Sequence, residues 1–138
     1  MKIYYWIYVF IVFIGVFSCT AREDEVSKFI DEVIAVHDEV MPKMGELRSY
    51  QKSLSAKAEE LRSTASDTTS LRDLKQAANA CEVAYEGMFV WMRQFDSKLE
   101  GLEEEESLTY LRDQLVKVTQ VNRDIKKALD DAERLLEK

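Results

Sequence analysis

The sequence of 138 residues contains one histidine, one proline, four glycines and two cysteines. Few glycines and prolines mean few turn signals, so we predict long secondary-structure elements. With one histidine, the chain cannot form a catalytic or metal-binding pair of imidazoles. The Glu-x-x-His motif of helical metal sites is also absent, because the residue three before His37 is Ile34. The sequence also lacks a glycine-rich phosphate loop and any cysteine or carboxylate cluster at zinc spacing. We therefore predict that the protein is not an enzyme.

Basic residues are also in short supply. The chain has 19 Lys and Arg against 26 Asp and Glu, which gives a formal net charge of −7. Nucleic-acid binding needs a basic face that neutralises phosphates, so this balance argues against a nucleic-acid partner. The same balance argues against electrostatic adsorption to anionic lipid.

The N-terminus has the pattern of a targeting segment. Lys2 precedes an uninterrupted apolar run over residues 3–17, which is short for a membrane span and typical of a signal-peptide core. The next residues, Val16-Phe17-Ser18-Cys19, resemble the lipobox of bacterial lipoproteins. That resemblance implies cleavage before Cys19 and lipidation of the new N-terminal cysteine, which would leave Cys81 as the only thiol. The alternative is an uncleaved anchor helix that keeps residues 3–17.

These signals divide the chain into three parts. We predict a signal peptide over residues 1–18, a lipidated polar tether over 19–25, and a helical domain over 26–138. Either a lipid or an uncleaved helix would attach the domain to a membrane outside the cytoplasm. The expected location is the cell envelope, on the periplasmic or the outer-surface side.

Three apolar stripes follow, each with spacings that alternate between three and four residues. A sustained alternation of this kind is a period of 3.5, which is typical of helices packed as in coiled coils. The first stripe consists of Ile30, Val33, His37, Val40, Met44, Leu47, Gln51, Leu54, Ala58 and Leu61. The second consists of Leu71, Leu74, Ala78, Cys81, Tyr85, Met88, Met92, Phe95 and Leu99. The third consists of Leu108, Leu111, Leu115, Val118, Asn122, Ile125, Leu129, Ala132 and Leu136.

The breaks between the stripes predict an all-α fold. A polar segment over residues 63–70 separates the first two stripes, and Gly101 with the acidic run 103–106 separates the last two. Short connections make successive helices antiparallel, so we predict a long up-down-up three-helix bundle with coiled-coil-like packing. Pro42 lies inside the first stripe and should kink that helix. A break there into two helices, giving a four-helix bundle, is the alternative.

The predicted hairpin brings most of the rare residues together. If the first turn is centred on residue 66, the numbers of facing residues add up to about 132. Met44 then faces Met88, Met41 faces Trp91, and His37 faces Phe95. The third helix should pass this level between residues 111 and 118, where Gln114 is the polar side chain.

This cluster has two interpretations. Thioether sulfurs with one imidazole suit a soft monovalent ion, Cu(I) or Ag(I), and the Trp91 indole could contribute a cation–π contact. The predicted ligands are His37, Met41, Met44, Met88 and Met92. The alternative is packing, because methionine fills irregular space beside a kink and favours aromatic neighbours. Under that interpretation no cofactor is needed.

Two motifs carry a further resemblance. His-Asp-Glu-Val-Met-Pro-Lys-Met at 37–44 and Met-Phe-Val-Trp-Met-Arg-Gln-Phe at 88–95 resemble a family of small helical lipoproteins of Bacteroidetes, often labelled viral A-type inclusion protein-like. The resemblance implies the compartment and the helical fold but no particular activity. We expect a non-catalytic, membrane-anchored envelope lipoprotein whose bundle has a structural role or binds an envelope protein. The alternative function is soft-metal binding at the histidine–methionine cluster.

Overall fold

A computed structural model of the chain describes residues 17–64 and 68–137, with side chains from residue 25 onward. Residues 1–16, which make up most of the predicted signal peptide, and the side chain of Cys19 lie outside this part. Within it no helix is long and apolar enough to cross a membrane. The elements are α1 (Phe17–Val40), a 3₁₀ turn (Met41–Lys43), α2 (Met44–Thr64), α3 (Thr68–Gln94) and α4 (Glu104–Leu136). Helix α1 thus includes the backbone of the segment that the sequence assigns to the tether.

Pro42 lies in the 3₁₀ turn that separates α1 from α2, at the position where the sequence predicted a kink or, as the alternative, a break into two helices. Proline has no N–H to donate and its ring presses on the preceding turn, so the α-helical ladder cannot continue through it. The chain instead tightens into the 3₁₀ turn, after which the Met44 N–H bonds to the Met41 carbonyl oxygen. The bend also changes the packing partner. Helix α1 lies mainly against α4, whereas α2 lies mainly against α3 and also touches α4.

Contacts between the helices give their directions. Arg112 of α4 lies near Glu25 of α1, and Asn122, further along α4, bonds to Val36, further along α1, so these helices run parallel. Helix α3 runs the opposite way: its Trp91 bonds to Gln114 and its Cys81 to Ala128.

The predicted register of α2 on α3 is also close to the observed one. Arg48 stacks over the ring of Tyr85, one residue from the position that the register places opposite it.

Burial follows the predicted stripes closely. Every stripe position is buried or half-buried except Met92, whose side chain is 39% exposed. In the second stripe the sequence pattern stepped four residues from Met88 to Met92, but the helix buries the residue three on, Trp91. The indole offers the larger apolar area, and burying it is the more favourable rotation of the helix. The prediction that Met92 joins the buried cluster is therefore wrong.

The connection from α3 to α4 begins earlier than Gly101. Helix α3 ends at Gln94, where the Tyr110 hydroxyl accepts a hydrogen bond from the Asp96 N–H at 2.8 Å and donates to the Gln94 carbonyl oxygen at 3.3 Å. Gly101 has a left-handed conformation, with φ of 83°, but it lies within the loop, seven residues after α3 ends, so it does not end that helix. Glu103 and Glu106 then form a reciprocal capping box at the start of α4.

Candidate functional site

An aromatic ladder occupies the level of the bundle around the Pro42 turn. It consists of His37, Trp91, Phe95 and Tyr110. The His37 and Trp91 ring centroids are 5.6 Å apart, Trp91 and Phe95 are stacked at 5.0 Å, and Phe95 and Tyr110 are nearly parallel at 6.5 Å. The backbones of α1 and α3 make few contacts here, so large rings are needed to bridge the two helices. His37 therefore meets Trp91, one turn before the Phe95 that the uniform register predicted.

The indole of Trp91 is fixed from the opposite side. Its Nε1–H donates to Oε1 of Gln114 at 3.1 Å, and both side chains are buried. The sequence argument placed Gln114 at this level, and the structure confirms that position. The bond satisfies the one polar group that burial of a tryptophan brings into the core.

The two ring nitrogens of His37 have different surroundings. Nδ1 lies 2.8 Å from Oδ1 of Asp38. A carboxylate only accepts hydrogen bonds, so Nδ1 carries the proton in the neutral ring and Nε2 carries the lone pair. That Nε2 atom is buried and has no hydrogen-bond partner. Imidazole ligands to metals commonly have this arrangement, with the distal N–H held by a carboxylate and the other nitrogen open.

The methionines divide into an inner and an outer set. Met44 and Met88 are buried in one hydrophobic core cluster that also contains Trp91, and Met41 packs against it half-buried. Met92 is 39% exposed and is not among the residues of this core or packed against it. Of the predicted ligands, Met44 and Met88 thus belong to the core that runs along the bundle and Met41 packs against it, whereas Met92 is not part of it.

A polar bridge joins α1 to α4 beside the ladder. The Asn122 amide, 5% exposed, donates to the Val36 carbonyl oxygen and to Oε2 of Glu39, both at 2.9 Å. Lys126 Nζ lies 2.5 Å from Oε1 of the same carboxylate. The hydrogen bond from Lys126, and then that from Asn122, hold the pKa of Glu39 below its usual range. Asn122 is a polar residue within the third apolar stripe, but nothing in the sequence singled out Glu39 among many carboxylates.

An open groove of about 1020 Å³ lies between α3 and α4 on the outside of the bundle. Small side chains of α3 line the groove, and Val83, which is 62% exposed, also contributes to the lining. A methyl group added at Gly87, on the same wall, would meet no atom within 4 Å. The apolar periodicity did not predict this groove, because alanines are equally common in helices whose surface is covered and in helices whose surface is open. The small residues of α3 that line the groove are Ala77, Ala80, Ala84 and Gly87.

Cys81 lies under this groove and is fully buried. Its Sγ is 3.7 Å from the Ala128 carbonyl oxygen, the geometry of a weak thiol donor. Burial, and to a lesser extent the charge of Asp131, raise the pKa of the Cys81 thiol. The thiol is thus held in its unreactive neutral form, as expected of a small buried apolar residue.

In the part of the chain with described side chains, residues 25–64 and 68–137, no group of three or more His, Cys, Asp or Glu could hold a metal ion. Comparison with known protein families, curated proteins and solved structures found no match. The resemblance to Bacteroidetes lipoproteins therefore stays a prediction.

Proposed function

We propose that the chain is a cell-envelope lipoprotein, attached to a membrane through Cys19, whose helical domain is a non-catalytic structural and interaction module. In this proposal α1 and α2 act as one kinked rod in an up-down-up bundle of three rods. The observation that carries the interaction role is the groove between α3 and α4. The groove exposes apolar side chains, Val83 among them, whose burial against another protein would be favourable.

The charge of the domain is compatible with this role. The excess of acidic over basic residues disfavours nucleic acid and anionic lipid as the bound partner. A protein partner is left as the natural occupant of an apolar groove with a polar rim, because such interfaces combine an apolar centre with charged edges.

A photo-cross-linking amino acid placed at Val83 in the full chain, expressed in its bacterial host, tests the interaction role. We expect a discrete cross-linked species from position 83. The matched control is Ala56, a small residue on the exposed face of α2 away from the groove. Equal labelling from both positions, or no discrete species from position 83, would contradict an interaction site in the groove.

Membrane attachment has its own test. The substitution Cys19→Ser removes the thiol that the lipid would modify, and we expect the protein to leave the membrane fraction or to accumulate uncleaved. If the variant and the unaltered chain both have the mass of the uncleaved sequence and both fractionate with membranes, the lipid anchor is wrong and the uncleaved helix over residues 3–17 is favoured.

A second candidate function, Cu(I) or Ag(I) binding, is favoured by the open Nε2 atom of His37. That nitrogen is buried without a hydrogen-bond partner, and Met44 and Met88 are buried in the hydrophobic core, with Met41 half-buried against it. Thioether and imidazole donors match the preferences of soft monovalent ions. The Trp91 ring, 5.6 Å from the imidazole, would face the bound cation.

Titration of the protein with Cu(I) under reducing conditions tests this second candidate. We expect saturable quenching of Trp91 fluorescence that is lost in His37→Ala and in Met44→Leu. Met92→Leu is the matched control, because Met92 lies outside the buried cluster and its loss should leave the titration unchanged. Quenching that is equal in all four proteins, or absent from the unaltered one, would leave only the packing interpretation.

A further inference from the structure

We propose that the bundle stands upright on the membrane, with the α3–α4 loop, residues 95–103, against the bilayer and the Leu102 side chain among the headgroups of neutral phospholipids. This inference rests on the proposed membrane attachment and deepens it, because it assigns a surface of the domain to the lipid. Three observations carry it: the level at which the anchor leaves the bundle, the leucines of the loop, and the charges around them.

The contacts between α1 and α4 fix the level of the anchor. Three contacts join residues of α1 and α4 whose numbers differ by 86 or 87, namely Glu25 with Arg112, Val36 with Asn122, and Glu39 with Lys126. The same offset places the backbone of Cys19 beside the first turn of α4, which begins at Glu104. The anchor therefore leaves the bundle at the end where the α3–α4 loop lies.

The segment that joins the anchor to the bundle is helical. Helix α1 is continuous from Phe17 to Val40, and Glu25 already lies against α4. A continuous helix keeps a fixed direction, whereas a flexible linker would let the domain turn freely. An uncleaved apolar helix over residues 3–17 would leave the bundle at the same end, so both kinds of anchor make the loop face the bilayer.

The loop carries two leucines at this end of the bundle. The Leu102 N–H donates to the Leu99 carbonyl oxygen at 3.2 Å and closes a turn. Leu102 is 44% exposed, and Leu99 is half-buried with φ of 56°, a conformation that glycine adopts freely and leucine rarely. Backbone strain of this kind occurs mainly where a contact makes use of it. Contact with the membrane interface would remove both apolar side chains from water.

The charges at this end favour neutral lipid. Residues 95–106 contain six acidic side chains and one basic side chain, Lys98. The acidic side chains would be repelled by anionic headgroups, whereas zwitterionic headgroups carry no net charge and allow Leu102 to enter the interface. The expected surface is therefore a bilayer of zwitterionic phospholipid.

The upright arrangement sets the height of the groove between α3 and α4. The α4 residues that line the groove begin at Val121 and end at Glu137. With a rise of about 1.5 Å per residue from the start of α4, the groove lies ~25–50 Å from the membrane surface. A protein that occupies the groove therefore meets it in the aqueous space and not at the bilayer.

Fluorescence quenching at two positions tests the orientation. The full chain is purified in a mild non-ionic detergent, labelled with an environment-sensitive fluorophore at Leu102→Cys or at Ala56→Cys, and reconstituted into phosphatidylcholine vesicles. Ala56 is the matched exposed position, next to Lys57, whose ammonium donates to the Leu135 carbonyl oxygen near the far end of α4. A lipid with a nitroxide on its headgroup should quench most of the fluorescence at position 102 and none at position 56.

The unaltered chain is the labelling control. Its Cys81 is fully buried, and any label on Cys81 or on an unmodified Cys19 is subtracted as background. If the unaltered chain fractionates with membranes but position 102 is quenched no more than position 56, membrane attachment stands and the proposed orientation is wrong. If the unaltered chain does not associate with membranes in its bacterial host, both proposals are wrong.

Substitution of the leucine tests its contact with lipid. With the fluorophore on the exposed Ser97→Cys, Leu102→Gln should lose the quenching by a nitroxide near the top of the acyl chain, whereas Leu102→Ile should keep it. Mixing phosphatidylglycerol into the vesicles should weaken the same quenching, because the acidic side chains are repelled by its headgroup. Quenching that is unchanged in Leu102→Gln, or stronger with phosphatidylglycerol, would overturn the proposed contact.

Discussion

The bundle differs on the two sides of the Pro42 turn. On the N-terminal side, α1 packs on α4 and the space toward α3 is filled by the aromatic ladder, with hydrogen bonds from Trp91 to Gln114 and from Asn122 to α1. On the other side, α2, α3 and α4 pack together around Leu54, Ala78 and Ile125 without such bonds among these side chains. We refer to these as the aromatic region and the aliphatic region.

The difference follows from helix spacing. Where helices lie close, small aliphatic side chains fill the core at native density, and no polar group has to be satisfied. Where the proline turn directs α1 away from α3, only large rings reach across, and each ring with a polar atom requires a partner. The aromatic region is thus the more specific part of the structure, and the aliphatic region is the part that contains the open groove between α3 and α4.

The largest effect on stability should come from the centre of the ladder. Trp91→Ala removes a ring that contacts both His37 and Phe95, and large-to-small changes of this kind cost about 3–5 kcal/mol. Urea denaturation followed by circular dichroism measures the loss. A cost below about 1 kcal/mol would mean that the rings do not hold the aromatic region together.

A smaller effect is expected at the hydrogen bond behind the ladder. Gln114→Leu preserves the volume but leaves the buried indole N–H without its acceptor, which should cost about 1–3 kcal/mol. The control is Gln120→Leu, an exposed position on the same helix, where a change within about 0.5 kcal/mol is expected. Equal effects at the two glutamines would show that the bond to Trp91 is not a source of stability.

The polar bridge predicts a pH dependence on the α1 side. The folded-state pKa of Glu39 lies below its ordinary value of 4.5, so the carboxylate stabilises the fold above that pH, and this contribution is lost as the pH falls through the folded pKa. Glu39→Gln should therefore lower stability at pH 7 and flatten the loss of stability below pH 4.5. An unchanged acid profile in the variant would show that the bridge to Lys126 is not linked to folding.

The smallest effect concerns the groove wall. Gly87 lies inside α3 with open space around it, so Gly87→Ala should raise the free energy of unfolding by about 0.5–1 kcal/mol through its better helix propensity. Gly45→Ala, where an added methyl also meets nothing within 4 Å, is the matched comparison in α2. A destabilising result at position 87 alone would mean that the groove is already filled in solution.

The apolar periodicity predicted most of the fold, including the burial of Val40, Leu54 and Ile125, because a helix with a period near 3.5 has only one continuous apolar face. It also placed Met44, Met88 and Gln114 near one level. The periodicity wrongly predicted that Met92 is buried. After Met88 the next buried position could be three or four residues on, and the structure buries the larger side chain, that of Trp91. It failed at His37, because a uniform register does not carry through a proline turn.

The groove and the polar bridge could not be predicted from periodicity. The sequence pattern of three alanines and one glycine on α3 is the same whether or not another element covers them. Whether they line an open groove depends on the positions of the neighbouring helices. Glu39 lies on the polar face of α1, which the sequence pattern predicts to be exposed to solvent. Only the parallel arrangement of α1 and α4 brings its carboxylate to Asn122 and Lys126.

A double-mutant cycle tests the account of the aromatic region most directly. In the unaltered chain Gln114→Leu leaves the buried Trp91 N–H without its acceptor. In a Trp91→Phe background the ring has no N–H, so we predict that the same substitution at Gln114 costs less than about 0.5 kcal/mol there, against about 1–3 kcal/mol in the unaltered chain. An equal cost of Gln114→Leu in both backgrounds would contradict the claim that the hydrogen bond between these two side chains stabilises the aromatic region.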